Sequence, residues 1–323
     1  MPAILIIAIA GTSFATAQQL PLYSQYLYNK FLINPSVAGS DGYTSFNLTA
    51  REQWVGYTGA PRTYSLSWQT RFLKRSYILK QVSPRRQVFR PKSDGKVGMG
   101  GFIFSDKNGL VRRTGFQISY AYHTWLRQET QLSMGLAMTG YQFKIDERDL
   151  SFEDSDDPWI NNDLRKGVFI PDAAFGLHLL NPRYTFGFSA DQLFGAAAKL
   201  GSEAYKKFEM KRHYYVFGSY TFTDMRYHEL QPSVLIKMSE QLEPQLDIGV
   251  TYIYNQSLWA GIAYRTCGVL ITNIGVKYQN LWIGYAFDFS FQEIQRLTYG
   301  SHELTIALRF GDSSRRYRWL DRY

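Results

Sequence analysis

The chain has little of several features that mark the commoner classes of protein. It contains one cysteine, Cys267, among 323 residues. An intrachain disulfide and a metal site built on several thiols are therefore excluded. After residue 17 there is no uninterrupted apolar run of about 20 residues, which excludes a membrane-spanning helix. The sequence also has no G-x-S-x-G, H-E-x-x-H or glycine-rich phosphate-binding motif, the signatures of several large enzyme classes.

What the sequence has instead is strict alternation of apolar and polar residues. Near the C-terminus every second residue from Leu304 to Phe310 is apolar, and the residues between them are Thr305, Ala307 and Arg309. Successive strand side chains point to opposite faces, so one face of this strand is apolar and the other carries a charge. About fourteen such strand candidates follow residue 43, beginning with residues 44–54 and 62–72.

The composition fits strands that meet lipid on one face. Mean hydropathy is −0.28, too polar for a helical membrane protein. The chain has 24 Tyr, 22 Phe and 7 Trp, residues that form aromatic girdles at membrane interfaces. We therefore predict an all-β fold: a transmembrane antiparallel β-barrel of about fourteen strands, of the outer-membrane type. A soluble β-sandwich or propeller is the alternative.

The predicted organisation has four parts. Residues 1–17 are apolar and end in Ala15-Thr16-Ala17, which is typical of a cleavable signal peptide. Residues 18–43 form a periplasmic or plug segment, residues 44–310 the barrel and residues 311–323 a C-terminal tail. An even strand number places both ends of the barrel at the periplasm. The predicted location is therefore the cell outer membrane.

The net charge and the charged loops of the chain indicate which kinds of partner it can bind. The net charge is +9, but an exported barrel does not meet nucleic acid, so we expect basic residues at a membrane surface or facing acidic partners. A basic loop is predicted at residues 74–92 and an acidic loop at residues 145–167. The acidic run at residues 153–163 is a candidate Ca²⁺ site, but it lacks the usual ligand spacing and is better explained as a solvated loop.

Five charged residues, and one serine–histidine pair of the kind that some enzymes use in catalysis, also occur inside strand candidates. Charges are costly in the lipid zone, so we expect them to face the lumen, as a stiffening network or, alternatively, as a substrate path. These residues are Arg51, Asp247, Arg265, Asp288 and Arg309. Ser119 and His123 share a strand face, but four residues of extended strand separate them by more than about 10 Å. Catalysis by this pair is therefore disfavoured.

An ordered series of short motifs resembles the PorP/SprF family, membrane proteins of the type IX secretion system of Bacteroidota. The series covers essentially the whole mature chain. It comprises Tyr23-Ser24-Gln25-Tyr26, Asn34-Pro35 with Ala38-Gly39, Arg51-Glu52-Gln53-Trp54-Val55-Gly56, Gly59-Ala60-Pro61, Ser119-Tyr120-Ala121-Tyr122-His123, Pro171-Asp172 with Phe175-Gly176, Arg212-His213-Tyr214-Tyr215, Gln231-Pro232-Ser233, Trp259 with Gly261, Tyr264-Arg265, Gly284-Tyr285 with Asp288, and Gly300-Ser301-His302-Glu303.

The resemblance implies an outer-membrane barrel without enzymatic activity or cofactor that serves secretion and gliding motility. It implies outer-membrane lipid and two kinds of protein partner. These are periplasmic secretion components, a peptidoglycan-binding protein among them, and a secreted adhesin with a type B C-terminal signal domain. A transport barrel for small hydrophobic or polar solutes is the alternative function. The predicted partner-binding or barrel-defining residues are Tyr26, Asn34, Pro35, Gly39, Arg51, Trp54, Gly59, Pro61, Arg265, Asp288, His302 and Glu303.

Overall fold

The computed structural model describes residues 23–72, 97–127, 130–145, 168–195, 211–225, 227–240 and 244–310. The strands within these residues are β1 Thr44–Glu52, β2 Arg62–Phe72, β3 Val97–Asn108, β4 Val111–Arg127, β5 Thr130–Ile145, β6 Val168–Leu180, β7 Tyr184–Asp191, β8 His213–Tyr220, β9 Phe222–Met225, β10 His228–Ser239, β11 Gln245–Tyr254, β12 Leu258–Arg265, β13 Val269–Tyr278, β14 Leu281–Ser290 and β15 Ser301–Phe310. Short 3-10 helices occupy Lys30–Leu32, Pro35–Val37 and Glu293–Leu297. In these residues no helix has both the length and the apolar character to span a bilayer.

The strands close into one antiparallel barrel. Each strand pairs with its neighbours in the chain, and β1 pairs with both β2 and β15, which joins the two ends of the sheet. β8 and β9 both pair with β10 and are separated at Thr221, so they occupy one position in the wall. The barrel therefore has fourteen strand positions. The predicted fold class is confirmed, and the soluble sandwich or propeller is wrong.

The two faces of the wall show the alternation that the sequence predicted. In β2 the buried residues Thr63, Ser65 and Ser67 alternate with the exposed residues Tyr64 and Leu66. Polar and small side chains thus face inward, and large apolar side chains face outward. A soluble sheet protein has the reverse arrangement, because its apolar face must leave water. An apolar outer band is what a lipid bilayer requires.

The two ends of the barrel differ in their connections. Thr44 pairs with Phe310, so the barrel begins and ends at one rim, which we call the terminal rim. Short turns at residues 181–183, 255–257 and 279–280 lie at this rim. The opposite end, the far rim, carries the loops at residues 53–61 and 291–300 and the short turns at residues 109–110 and 266–268, whereas the 24-residue connection between β2 and β3 joins strand ends at the terminal rim. In bacterial outer-membrane barrels the short turns face the periplasm and the longer loops face outward.

Some predicted features differ from the structure or lie outside it. The first strand ends at Glu52 and not at residue 54, because Trp54 has a φ of 49° and begins a turn. Left-handed backbone of this kind cannot continue a strand. The predicted signal peptide, the C-terminal tail, the basic loop at residues 74–92 and the acidic run at residues 153–163 lie outside the described residues.

Candidate functional site

Residues 23–43, which we call the lumen segment, lie inside the barrel. The sequence sets the local fold of this segment at Asn34 and Pro35. The Asn34 side chain accepts a hydrogen bond from the Ser36 backbone N–H at 2.9 Å, and Pro35 takes the first position of the short helix that follows. Asn is a favoured helix cap, and Pro is tolerated at the first helical position because its missing N–H has no partner there.

Apolar side chains fix the middle of the lumen segment against the wall. Phe31 is fully buried and belongs to one hydrophobic cluster with Phe217 of β8 and Leu235 of β10, which are also fully buried. Burial of large apolar side chains of this kind contributes about 1.5–3 kcal/mol each. The lumen segment therefore packs as part of the protein core.

Inward-facing glycines make room for the backbone of the lumen segment. A Cβ atom added at Gly98 would lie 2.0 Å from the Ala38 carbonyl oxygen. One at Gly135 would lie 2.4 Å from the Ser36 nitrogen. Such distances are far below van der Waals contact, so any other residue at these strand positions would displace the lumen segment.

Polar contacts hold the same segment along its length. The Asn34 amide donates hydrogen bonds to the backbone oxygens of Leu177 at 2.9 Å and Phe188 at 3.1 Å. Nearer the terminal rim, the Gly39 N–H donates to Gln69 Oε1 at 3.2 Å. Since most buried polar groups in proteins are paired, these bonds specify one position for the segment as well as stabilise it.

A network of buried charges lies on the inner face near the far rim. Arg51 Nη2 lies 2.6 Å from Asp288 Oδ2, and Arg51 Nη1 lies 3.0 Å from Glu303 Oε2. Arg265 forms a two-pronged pair with Asp247, with nitrogen–oxygen distances of 2.8 and 3.0 Å. Arg265 Nη1 is also 3.8 Å from Asp288 Oδ2, which joins the two pairs into one network.

The network also binds the start of the lumen segment. The backbone N–H groups of Ser24 and Gln25 donate to the two carboxylate oxygens of Glu303, at 2.7 and 2.9 Å. The Ser24 hydroxyl donates to Asp288 Oδ2 at 2.7 Å and accepts from Arg51 Nη1 at 2.7 Å. Hydrogen bonds to charged groups are about twice as strong as neutral ones. These contacts therefore tie residues 24 and 25 to three barrel strands.

The titratable groups of the lumen segment have pKa values shifted by their position inside the barrel. Burial raises the pKa of the Tyr23, Tyr26 and Tyr28 phenols. Burial also lowers the pKa of Lys30 to about 8, and the nearby charge of Arg309 lowers it further. Burial disfavours the charged form of each group, so both kinds of shift have one physical cause.

A small cavity remains beside the lumen segment near the terminal rim. It measures about 60 Å³, and Tyr28, Lys30, Trp259, Trp282 and Arg309 contribute to its lining. The Tyr28 and Trp259 rings stack with their centroids 4.7 Å apart. The guanidinium of Arg309 lies 4.1 Å from the centroid of the Trp282 ring. This part of the lumen is therefore narrowed by aromatic and basic side chains.

His123, the histidine considered for catalysis, is used to hold the lumen segment. Its Nδ1 is 2.7 Å from Ser133 Oγ, and its Nε2 is 3.0 Å from the Ala38 carbonyl oxygen. The carbonyl can only accept, so Nε2 carries the proton and Nδ1 accepts from Ser133. Ser119 accepts a hydrogen bond from Gln117 Nε2 at 2.9 Å. Both ring nitrogens of His123 therefore have hydrogen-bond partners, Ser133 and Ala38.

The structure divides the predicted site residues into three groups. Four lie buried in the lumen segment: Tyr26, Asn34, Pro35 and Gly39. Four form the buried charge network: Arg51, Arg265, Asp288 and Glu303. Four lie at or next to the far rim: Trp54, Gly59, Pro61 and His302.

The far-rim group shapes the loops there. The Trp54 N–H donates to Ser301 Oγ at 3.2 Å, and the Gly59 carbonyl accepts from the Gly109 N–H at 3.1 Å. These bonds connect the loop at residues 53–61 to its neighbours on both sides. His302 Nδ1 lies 2.6 Å from the Tyr285 hydroxyl on the outer face.

The roles of Ser24 and Gln25 were missed by the sequence reasoning. Their partner Glu303 lies 279 and 278 positions away in the chain, and no local pattern connects the two ends. The motif from Tyr23 to Tyr26 contains nothing that indicates a carboxylate partner. Only closure of the barrel between β1 and β15 brings these residues together.

Comparison with known proteins gives one family and a set of similar folds. The family model described as "Type IX secretion system membrane protein PorP/SprF" matches residues 15–308. The Acinetobacter baumannii outer membrane protein Omp33 is 6% identical, with 84% of this chain and 100% of that chain covered and a TM-score of 0.44. The P. putida toluene transporter TodX is 8% identical, with 86% and 93% covered and a TM-score of 0.45. Comparison with curated proteins gives no match.

Proposed function

Because the chain belongs to the PorP/SprF family of type IX secretion system membrane proteins, we propose that it is a non-enzymatic outer-membrane anchor of that machinery. In this role it assists export and surface attachment of a secreted protein. The barrel fixes the position in the membrane, and its two rims bind partners on opposite sides.

The observation that carries this proposal is the occupied lumen. The lumen segment contacts the wall from Ser24, bound to Glu303, to Gly39, bound to Gln69. Among the cavities lined by described residues, the one beside Tyr28 and Lys30 measures about 60 Å³, whereas sites for small ligands usually measure about 300–1,000 Å³. A barrel filled in this way suits a rigid anchor better than a path for solutes.

The buried network supports the same role. Arg51, Asp288 and Glu303 connect β1, β14 and β15, and Arg265 and Asp247 extend the network to β11 and β12. Cross-strand ion pairs that are fully buried tolerate little movement, because separating them leaves an uncompensated charge. This stiffens the wall beneath the far-rim loops.

We assign the partners by rim. The terminal rim faces the periplasm and binds the periplasmic secretion components, including a peptidoglycan-binding protein. The far rim binds the secreted adhesin through its type B C-terminal signal domain. The exposed side chains of Tyr57 and Tyr299 at this rim suit such contact, since aromatic residues are enriched in protein interfaces.

The first experiment measures ion conductance of the purified protein in planar bilayers. We expect the wild-type barrel to stay closed, with no steady open level. A steady, solute-selective pore would support the transport alternative and contradict the anchor.

The second experiment measures binding of a purified type B signal domain to the barrel in detergent. We expect the double variant Tyr57→Ala, Tyr299→Ala to bind the domain more weakly than wild type. Tyr227→Ala, which removes an exposed tyrosine from a turn at the terminal rim, is the matched control and should bind normally. Equal loss in both variants, or none in either, would refute the assignment of the far rim.

A further inference from the structure

The small cavity at the terminal rim has the size of a side-chain end. It measures about 60 Å³, lies beside Tyr28 and Lys30, and includes the exposed turn residue Gln256 in its lining. Because Gln256 joins β11 to β12 at this rim, the cavity is reached from the aqueous space there. Its volume exceeds the space that one water needs, about 10–15 Å³, and is too small for a whole solute. It suits a single small polar group.

The lining of this cavity includes a hydrogen-bond donor without an acceptor. Trp259 contributes to the lining and is 7% exposed, and its indole N–H has no hydrogen-bond partner among the described residues. Most buried polar groups in proteins are paired, and an unpaired one costs free energy because it has lost its water. A ligand that carries an acceptor would recover this energy.

The same lining includes a strong acceptor. Glu229 of β10 is 6% exposed, and its Oε1 accepts a hydrogen bond from Gln256 Nε2 at 3.3 Å. A carboxylate has about four acceptor positions, so this one bond leaves room for further donors. A ligand that both accepts and donates would therefore bond to Trp259 and Glu229 at once.

The charges around the cavity favour a neutral ligand. Lys30 and Arg309 are basic members of the lining, and Glu229 is an acidic member. Asp41 lies close enough to act electrostatically on both Lys30 and Arg309. Among the described residues the two basic groups are thus matched by two acidic groups. An ion would lose its hydration here without meeting an excess of opposite charge.

The aromatic rings of the lining are already covered. Tyr28 stacks on the Trp259 ring with the centroids 4.7 Å apart, and a Cβ atom added at Gly275 would lie 2.0 Å from the same ring. The guanidinium of Arg309 lies 4.1 Å from the centroid of the Trp282 ring. A sugar binds aromatic residues by stacking on an open ring face. The cavity therefore suits a slender side chain of a protein better than a saccharide.

We propose that this cavity binds the side-chain carboxamide of an asparagine or glutamine from a periplasmic protein. The carboxamide oxygen accepts from the Trp259 indole, and the NH₂ group donates to Glu229. A hydroxyl group would leave much of the volume unfilled, and a carboxylate would meet the like charge of Glu229. This inference rests on the proposed function, which places a periplasmic component at the terminal rim, and it names the chemistry that recognises that component.

Binding is measured on the purified full-length barrel in a neutral detergent, with its tryptophans labelled with ¹⁵N. The readout is the indole N–H resonance of Trp259, identified by its loss in Trp259→Phe. The probes are acetamide, acetate and N-acetylglucosamine at equal concentrations. We expect acetamide to shift this resonance saturably, and acetate and N-acetylglucosamine to shift it much less.

Three outcomes would overturn the proposal. An unchanged resonance in acetamide would mean that the cavity holds water only. An equal shift with acetate would mean that charge does not matter, and a larger shift with N-acetylglucosamine would identify a saccharide site. These probes need no secretion component. Failure here therefore leaves the conductance and signal-domain experiments unaffected, and failure of those experiments leaves this one unaffected.

The variant Glu229→Gln tests the acceptor while it keeps the indole readout. We expect acetamide to bind about tenfold more weakly, because a hydrogen bond to a carboxylate is stronger than one to a neutral amide. Glu52→Gln is the matched control, since it makes the same change at the far rim, where Glu52 Oε1 lies 3.6 Å from Arg62 Nε. Wild-type affinity in Glu229→Gln, or an equal loss in Glu52→Gln, would refute the site.

Discussion

Arg51 Nη2 lies 2.6 Å from Asp288 Oδ2 inside the barrel, and each side chain is 3% exposed. Arg51 also pairs with Glu303 at 3.0 Å, so one guanidinium bridges two buried carboxylates on neighbouring strands. The same groups hold Ser24 of the lumen segment. Loss of this one side chain therefore affects both the wall and the segment inside it.

We expect Arg51→Met to destabilise the barrel by about 3–5 kcal/mol, because it removes the ion pair of the buried Glu303 and leaves Asp288 with Arg265 alone, at 3.8 Å. The measurement is urea unfolding in detergent, followed by tryptophan fluorescence. Arg212→Gln is the control, since its pair with Glu240 at 3.5 Å is about one-third exposed and contributes about 1 kcal/mol or less. Similar losses in the two variants would contradict the buried network.

The fit between wall and lumen segment is tested by Gly135→Ala. The new Cβ would lie 2.4 Å from the Ser36 backbone, so the segment must shift away from β5. We expect residues 23–43 to exchange amide hydrogens faster and the barrel to show conductance in bilayers. Gly218→Ala is the matched control, because its nearest neighbour is 3.7 Å away. If Gly135→Ala exchanges at the wild-type rate, the segment does not lie against this wall.

Replacement of Glu303 by Gln tests how the start of the lumen segment is held. The neutral amide accepts weaker hydrogen bonds than the carboxylate, and its NH₂ group faces the N–H donors of Ser24 and Gln25. We expect faster amide exchange at residues 24 and 25, whereas Ser36, whose N–H is bound by Asn34, keeps its protection. Uniform loss of protection along the segment would argue against a local role for Glu303.

The lowered pKa of Lys30 predicts how the stability of the barrel changes with pH. Burial lowers its pKa from 10.5 to about 8, so between these values the unfolded chain binds more protons than the folded one. Stability therefore rises as the pH rises from about 8 towards 10. Above about pH 10 the raised pKa values of Tyr23, Tyr26 and Tyr28 act in the opposite direction, because those phenols ionise only when unfolded.

The check is the thermal midpoint of wild type and Lys30→Met across pH 7–10. We expect the midpoint of Lys30→Met to exceed that of wild type at pH 7 and the difference to shrink as the pH rises. Titratable groups that are present in both proteins affect both thermal midpoints alike, so they drop out of the difference. A difference that is constant with pH would show that Lys30 does not titrate in this range.

The sequence was sufficient to predict the wall of the barrel. The fourteen strand positions and their inner and outer faces follow from alternation, because a strand with one lipid-facing side has a period of two. The inward placement of Arg51, Arg265 and Asp288 follows from the cost of charge in lipid. These predictions need no knowledge of which strand lies beside which.

Features that depend on register could not be predicted in this way. Arg62 and Lys107 become neighbours only through the pairing of β2 with β3, and the long connection between those strands does not fix that register. Glu303 meets Ser24 only because the barrel closes. The end of β1 was also missed, since the left-handed turn at Trp54 leaves no mark in the alternation.

The central claim is that residues 23–43 fill the lumen of a barrel in the outer membrane, and one cross-linking measurement tests it most directly. Asn29 Nδ2 lies 3.2 Å from Ser67 Oγ of β2. With Cys267 replaced by Ser, the pair Asn29→Cys, Ser67→Cys is treated in isolated outer membranes with an oxidant or a short bis-maleimide. We expect an intramolecular cross-link in this pair and none in Asn29→Cys, Thr266→Cys, whose second thiol lies in an exposed far-rim turn. No cross-link in the first pair, or equal yields in both, would contradict the account.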